Sequence, residues 1–384
     1  MRNTLNPCTG IWFAGVLTLV LVPAVSHASL TSTNQGYAEV DLVSDIATKA
    51  PNTDARLVNP WGLVVGPGVE WVNDNGTGLA TVYGAFGFPV SFAINIPAPD
   101  GISPGTPDGL VFNDTWQFAI TNASVTSTNG PRHAPAVLLM ATEDGTIAGW
   151  NYFVSGSNAV IAVDNSPAGA VYKGLAIARL TNGAPQLYAA NFHAGVVDVF
   201  DGQFQYVQSF TDTNVPAGFA PFNVKNIGGK LFVTFALQKP GAHDDQSGPG
   251  NGYIDVFNPD GTLVRRFASQ GPLNSPWGIA LAPWNFGPFS HALLVGNFGD
   301  GHINAFDLAT GNPLGHLTHQ DGSDLVIDGL WGLGFAWDLP CATVGDFDSS
   351  ARLYFTAGLN DEADGLFGFI RSAGPTALTP VVIH

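Results

Sequence analysis

Charge is scarce in this 384-residue chain: 11% of its residues are Asp, Glu, Lys or Arg. That composition argues against coiled coil, long amphipathic helices and charge-rich disorder. Positive charge is scarcer still, with 13 Lys and Arg against 30 Asp and Glu and a formal net charge of −17. Such a chain repels phosphate, which disfavours nucleic acid and anionic lipid as partners. There are two cysteines, Cys8 and Cys341. Cys8 precedes an apolar run that reads as a removable leader, so Cys341 is left alone and no intrachain disulfide is expected. Cys341 follows an apolar strand, has no His near it in sequence, and reads as a buried, inert thiol. GxSxG, Walker, HExxH and strand-following GxGxxG motifs are all missing.

What the chain does have is 47 Gly, 27 Pro and 45% apolar residues. This suits many short strands joined by tight turns. The N-terminus has the parts of a signal peptide: Arg2, an apolar stretch from Ile11 to Val22, and small residues at Ser26 and Ala28. Cleavage is expected after Ala28, with 29–384 forming a single domain that is periplasmic or extracellular. No later apolar stretch is long enough to cross a bilayer, and the C-terminal residues carry no basic tail, so no membrane anchor is expected.

The organising feature is a repeat. Asn59-Pro60-Trp61-Gly62-Leu63, Ser275-Pro276-Trp277-Gly278-Ile279 and Gly329-Leu330-Trp331-Gly332-Leu333 share one pattern. Trp277 and Trp331 are 54 residues apart, and Trp61 to Trp331 is five such periods. Weaker copies occur at Pro221-Phe222-Asn223-Val224 and Tyr172-Lys173-Gly174-Leu175. A sixth slot is expected near residue 115, in the stretch Gly109 to Ile120. Each copy continues as short strands separated by turns, such as Pro259-Asp260-Gly261 in the fourth. Four strands per repeat predict an all-β, six-bladed β-propeller. The sixth copy lacks a fourth strand, and Tyr37 to Ser44 alternates like one, so this N-terminal strand is expected to close the ring. The Trp residues are expected to fill the wedges between blades, each burying roughly 200 Å².

These patterns resemble NHL-like propellers. They are most similar to an uncharacterised family of secreted bacterial propeller proteins, some of which carry a PEP-CTERM sorting signal. The resemblance rests on NPWG at 59–62, ATEDGTIAGWN at 141–151, AANFHAGVVDVFD at 190–201, SPWG at 275–278 and GNFGDGHINAFD at 296–307. It implies a fold and export, and no established activity. The C-terminus here shows no PEP motif.

In a propeller, the loops between second and third strands share a face with the loops entering the next inner strand, and function collects there. The first set holds Asn73-Asp74-Asn75, Glu143-Asp144, Asn191-Phe192-His193, His243-Asp244-Asp245, Asn297 to Asp300 and Asn360-Asp361-Glu362. The second set adds Asn59, Asn223, Asn274 and Asp328. Turn formation alone accounts for many of these Asn and Asp residues. Oxygen ligands from Asn223, Asp244, Asp245, Asp300 and Asp361 would suit Ca²⁺ if they converged. Gluconolactonase-like propellers hold a divalent cation in this way. Lys173, Asn191, His193, Asn297 and Asp300 are the candidate ligand-binding residues, and His193 and His243 the candidate catalytic ones. Lys173 breaks the repeat, standing where other copies carry Trp or Phe, and could bind an anionic group. His302, His316 and His319 read as surface or structural residues.

Two functions follow. The first is a binding scaffold that presents its loop face to a glycan, peptide or small molecule. The second is a metal-dependent hydrolase or lyase, with Ca²⁺ or Zn²⁺ polarising a carbonyl or activating water at the channel mouth.

Overall fold

The computed structural model describes residues 35–66, 68–127, 130–336 and 351–374. The expected leader, Cys341 and the C-terminal tail lie outside the described residues. Among the described residues, no helix is long and apolar enough to cross a membrane.

Six antiparallel four-stranded blades form a β-propeller. Their innermost strands are Pro60–Val65, Pro107–Phe112, Tyr172–Arg179, Phe219–Ile227, Pro276–Leu281 and Leu330–Gly334. Blade 5 runs outward through Leu293–Asn297, Ile303–Phe306 and Pro313–His316. In blade 4 the turn before the outer strand is closed by Asp260, whose carboxylate accepts from the Thr262 N–H at 3.0 Å. The fourth strand of blade 6 is the N-terminal Gly36–Ser44, paired antiparallel with Asp364–Ala373 from Gly36↔Ala373 to Ser44↔Leu366. The ring closes as expected. Tyr37 extends the closure into blade 5: its hydroxyl donates to the Phe286 carbonyl at 3.0 Å and accepts from the Phe289 N–H at 3.1 Å.

Two expectations are corrected. The second copy of the repeat is Pro107-Asp108-Gly109-Leu110, which lies before the expected slot near residue 115. Blade 1 is short, and blade 2 inserts an extra hairpin, Ala119–Ser127 with Gly130–Pro135, between its first two strands. Asp108 stands where Trp was sought. The Trp side chains also do not fill wedges between blades. Trp61, Trp277 and Trp331 meet with Phe222 and Phe192 in one buried cluster contributed by several blades. Trp61 stacks on Trp331 with centroids 3.3 Å apart, and Trp277 packs edge-on against both.

The glycine of the repeat has a steric cause. A Cβ at Gly62 would overlap the Asp108 carbonyl, and one at Gly109 would lie 2.7 Å from the Leu175 nitrogen. At Gly278 it would lie 2.6 Å from the Trp331 oxygen, and at Gly332 2.5 Å from the Trp61 oxygen. Each inner strand thus presses directly on the next. Blade 4 carries Asn223 at this position, and its Nδ2 donates to the Trp277 carbonyl at 2.7 Å. Gly62, Gly109, Asn223, Gly278 and Gly332 line one axial cavity.

Among the acids whose pKa values are raised by burial are Glu70 and the half-buried Glu39. Glu70 is 4% exposed, and burial pushes its pKa up to about 7 against the pull of Arg352. Glu39, in the closing strand, also reaches about 7, through burial and then the neighbouring Asp41. Both folded-state pKa values lie above the unfolded value. The stability they contribute is therefore complete below the unfolded pKa and is lost as pH rises through about 7.

Three outcomes are expected. Deleting residues 29–45 lowers the melting temperature sharply; an unchanged melt would refute ring closure by this strand. Gly332→Ala costs about 3 kcal/mol in denaturant unfolding, as overpacking against fixed backbone does. The melting temperature falls from about pH 5 to about pH 8, and Glu39→Gln with Glu70→Gln flattens that slope; an equally steep slope in the double variant would contradict the assignment.

Candidate functional site

The six inner strands place six equivalent residues around the axis, each just before the close-packed position: Trp61, Asp108, Lys173, Phe222, Trp277 and Trp331. Four are aromatic and pack together. The other two, on neighbouring blades, carry opposite charges. The Lys173 ammonium lies 3.9 Å from Asp108 Oδ2 and hydrogen-bonds Glu143. It also sits 4.8 Å from the centroid of the Trp61 ring, which attracts a cation through its π-face. Lys173 is 1% exposed. Burial alone would lower its pKa, but Glu143 and Asp108 overcome this and hold the amine charged.

Carboxylates gather around this ammonium. Glu143 precedes the turn at Gly145, and the adjacent Asp144 clamps Thr106 by accepting from its N–H at 2.7 Å. Asn75 bridges Asp108 and Glu143, donating to them at 2.7 and 2.9 Å. Asp244 and Asp245 come from the long loop between Lys230–Leu237 and Gly252–Phe257, and the charge of each is felt together with that of Lys173. Glu362 arrives from blade 6 and accepts from Asn59 Nδ2 at 2.7 Å. Asn59 Oδ1 in turn accepts from Trp331 Nε1 at 3.1 Å. The result is an acidic basin floored by the aromatic cluster, with Lys239 contributing positive charge near Asp244 and Asp245.

Burial, aided by repulsion from Glu143, raises the Asp108 pKa well above the usual carboxylate range despite Lys173. Burial also raises Asp245 and Glu362, the latter against the hydrogen bond that Asn59 supplies. Asp244 goes the other way. Burial would raise it, but its bond with His243 and the charges of Lys173 and His243 hold it low. Asp108 Oδ2 is buried and lacks a hydrogen-bond donor.

The Glu362 loop is strained. Asn360, Asp361 and Glu362 all adopt left-handed backbone, with φ of 54°, 53° and 66°. Non-glycine residues in this region cost on the order of 1 kcal/mol each and persist where surroundings enforce them. Here the Asn59 bond anchors the far end of the run. The same conformation recurs at the entry to three inner strands: Asn59, Ser275 and Gly329 have φ of 46°, 46° and 62°. A β-branched residue would not fit these turns.

The other sequence candidates separate. His243 lies at the rim, with Nδ1 2.8 Å from Asp244 Oδ1. His193 is exposed beside Gly169, with no resolved bond to the basin. Asn191 is buried and structural: Nδ2 donates to Asp198 at 2.9 Å and Oδ1 accepts from the Ala194 N–H. Asn297 donates to the Pro272 carbonyl and to Asp300, which also accepts from Asn274. Asn223 uses both side-chain atoms on backbone, at Trp277 and Val224. Asp361 is exposed. Of the five residues proposed to hold calcium, Asp244 and Asp245 reach the Lys173 basin. Lys173 faces the channel, but its partners are the chain's own carboxylates.

Asp108 is the basin member that the sequence did not reveal; Asn75, Glu143 and Glu362 lie in the expected face loops but were not among the candidate site residues. Aligning Pro107-Asp108-Gly109-Leu110 with Pro60-Trp61-Gly62-Leu63 would have put Asp108 beside Lys173 on the ring.

No family model matches the chain. It is 35% identical over 338 residues to an uncharacterised protein of Acanthamoeba polyphaga mimivirus, covering 86% of this chain and 78% of the relative. A second uncharacterised mimivirus protein is 35% identical over 339 residues, covering 85% and 83%. Among solved structures, a streptogramin B lyase aligns with a TM-score of 0.46 and 11% identity, over 89% of this chain and all of the other. The matched relatives are viral, where the sequence resemblance pointed to secreted bacterial proteins. The chain belongs to the family of propeller proteins that these two mimivirus sequences represent.

Proposed function

We propose that the protein is a binding module and that its ligand presents an organic ammonium group to the basin at the channel mouth. One observation carries this reading: the chain already holds its own ammonium there. Lys173 sits between carboxylates and an indole face. A buried cation is tolerated when it is paired and hydrogen-bonded, and is otherwise very costly. Beyond Glu143, which Lys173 itself engages, Asp244, Asp245 and Glu362 add further carboxylates around the same mouth. An amine-bearing small molecule or a lysine side chain of a peptide has the matching chemistry. The leader expected at residues 1–28 supports export of such a module.

A second reading keeps the metal-dependent hydrolase or lyase. Glu143, His243 and Asp244 offer ligand atoms within 4.8 Å of one another. A divalent ion held there would polarise a carbonyl or activate water.

Calorimetry with a polyamine at low salt is expected to show binding that weakens as salt rises. Glu362→Gln and Asp244→Asn should each weaken it by about tenfold, the effect of one lost charge contact worth ~1.4 kcal/mol. Binding should also weaken as pH is lowered, because Glu362 and Asp245, whose pKa values burial raises, are protonated ahead of ordinary carboxylates. A neutral analogue that binds equally well would overturn the amine assignment. A stoichiometric metal removed by EDTA and lost in His243→Ala would favour the second reading. N-terminal sequencing of protein exported from a bacterial host should begin at Ser29; protein beginning at Met1 would contradict export.

A further inference from the structure

Blade 5 carries a second constellation, outside the channel basin. The chain turns at Asp321-Gly322 after the outer strand and runs back along the sheet, giving the bridges Thr318↔Asp324 and His302↔Val326. The backbone is pinned on both sides. The Leu317 N–H donates to Ile303 at 3.0 Å, that of Leu325 to Leu317 at 3.1 Å, and that of Ile327 to Gly301 at 3.0 Å. Leu317, Leu325 and Ile327 point inward and are buried. By alternation, His316 and Asp324 point outward on the same face. His302 joins them, two residues before Asn304, which pairs in register with His316.

The side chains converge. His316 Nε2 lies 2.8 Å from Asp324 Oδ1, and His302 Nε2 lies 3.7 Å from Asp324 Oδ2. The imidazole centroids are 5.3 Å apart, edge to face. All three residues offer ligand atoms within 4.8 Å of one another. The other nitrogen of His302, Nδ1, lies 3.2 Å from Asp300 Oδ1. Asp300 is itself fixed by Asn274 and Asn297 at 3.1 Å each. A carboxylate behind one nitrogen holds the proton there and leaves the opposite nitrogen with its lone pair facing the cluster. Metal-ligating histidines are oriented in this way.

We infer that His302, His316 and Asp324 form a site for a Zn²⁺-type transition ion, with Asp300 as a positioning residue. Two imidazoles and one carboxylate are a borderline-soft donor set that suits zinc and disfavours calcium and magnesium, which take oxygen ligands. Three protein ligands leave a fourth tetrahedral position for water. An ion bound there takes the Nε2 lone pair of a neutral His316, whose remaining N–H then sits on Nδ1, and an Asp324 carboxylate oxygen, with no redox change. This site is separate from the Glu143–His243–Asp244 group of the channel basin.

The test is a chelator-competition titration of the full chain with Zn²⁺ alone. The wild type should bind one ion at this site with a Kd of about 1 µM or tighter. His316→Gln and Asp324→Asn, both at outward-facing positions, should each weaken binding at least ~100-fold without changing the melting temperature of the metal-free protein. Asp300→Asn should weaken it about 10-fold or more, as outer-shell changes do. His243→Ala should leave it intact. A wild-type chain that binds no Zn²⁺ in this range would overturn the proposal. Zn²⁺ binding unchanged in both His316→Gln and Asp324→Asn, or lost in His243→Ala, would also overturn it. Should His316→Gln unfold, retained Zn²⁺ affinity in Asp324→Asn decides against the site.

Discussion

The packing of inner strand on inner strand governs the rest of this molecule. Where Gly62, Gly109, Gly174, Gly278 and Gly332 stand, a Cβ would meet the backbone of the next blade. This close approach draws the six strands into a narrow ring. It also fixes the preceding residue of each strand as a member of a second ring around the axis. The character of the channel mouth then follows from six side chains. Four aromatics supply most of a dry plug; truncating a buried Trp or Phe of this kind typically costs 3–5 kcal/mol. The remaining two, Asp108 and Lys173, bring charge into that plug.

Charge at such a position is stable only when each group finds partners, because desolvating an ion costs several kcal/mol. Lys173 meets this condition through Glu143, Asp108 and the Trp61 face. The surrounding carboxylates do so less completely. Asp108 keeps one oxygen without a donor, and Asp108, Asp245 and Glu362 all have raised pKa values. The left-handed run from Asn360 to Glu362 adds local backbone strain to the same rim. The carboxylates that gather around Lys173 over an aromatic floor are the physical basis for the proposal that the mouth receives a cation.

The architecture was legible because packing constraints repeat. Trp61, Trp277 and Trp331 recur at multiples of 54 residues, since each solves the same steric problem in its own blade. The alternation of Tyr37 to Ser44 revealed the closing strand for a similar reason. The second blade was misplaced because Asp108 replaces the aromatic marker and an inserted hairpin stretches the period. The site was harder to read. Lys173 stood out as a break in the pattern, but its partners come from other blades, and in a linear sequence Asp108, Glu143 and Glu362 look like ordinary turn residues. His302, His316 and Asp324 have no motif spacing. Sheet register and a returning turn bring them together, and neither leaves a local trace.

A double-mutant cycle on the charged pair of the axial ring tests the account most directly. Unfolding free energies would be measured for Lys173→Met, Asp108→Asn and the double variant. If the two side chains act as one unit within the plug, Lys173→Met alone costs about 3–5 kcal/mol, because it leaves buried carboxylates uncompensated. The double variant then costs less than the sum of the single changes by more than about 1 kcal/mol. Additive effects within about 0.5 kcal/mol, the behaviour of independent sites, would contradict it.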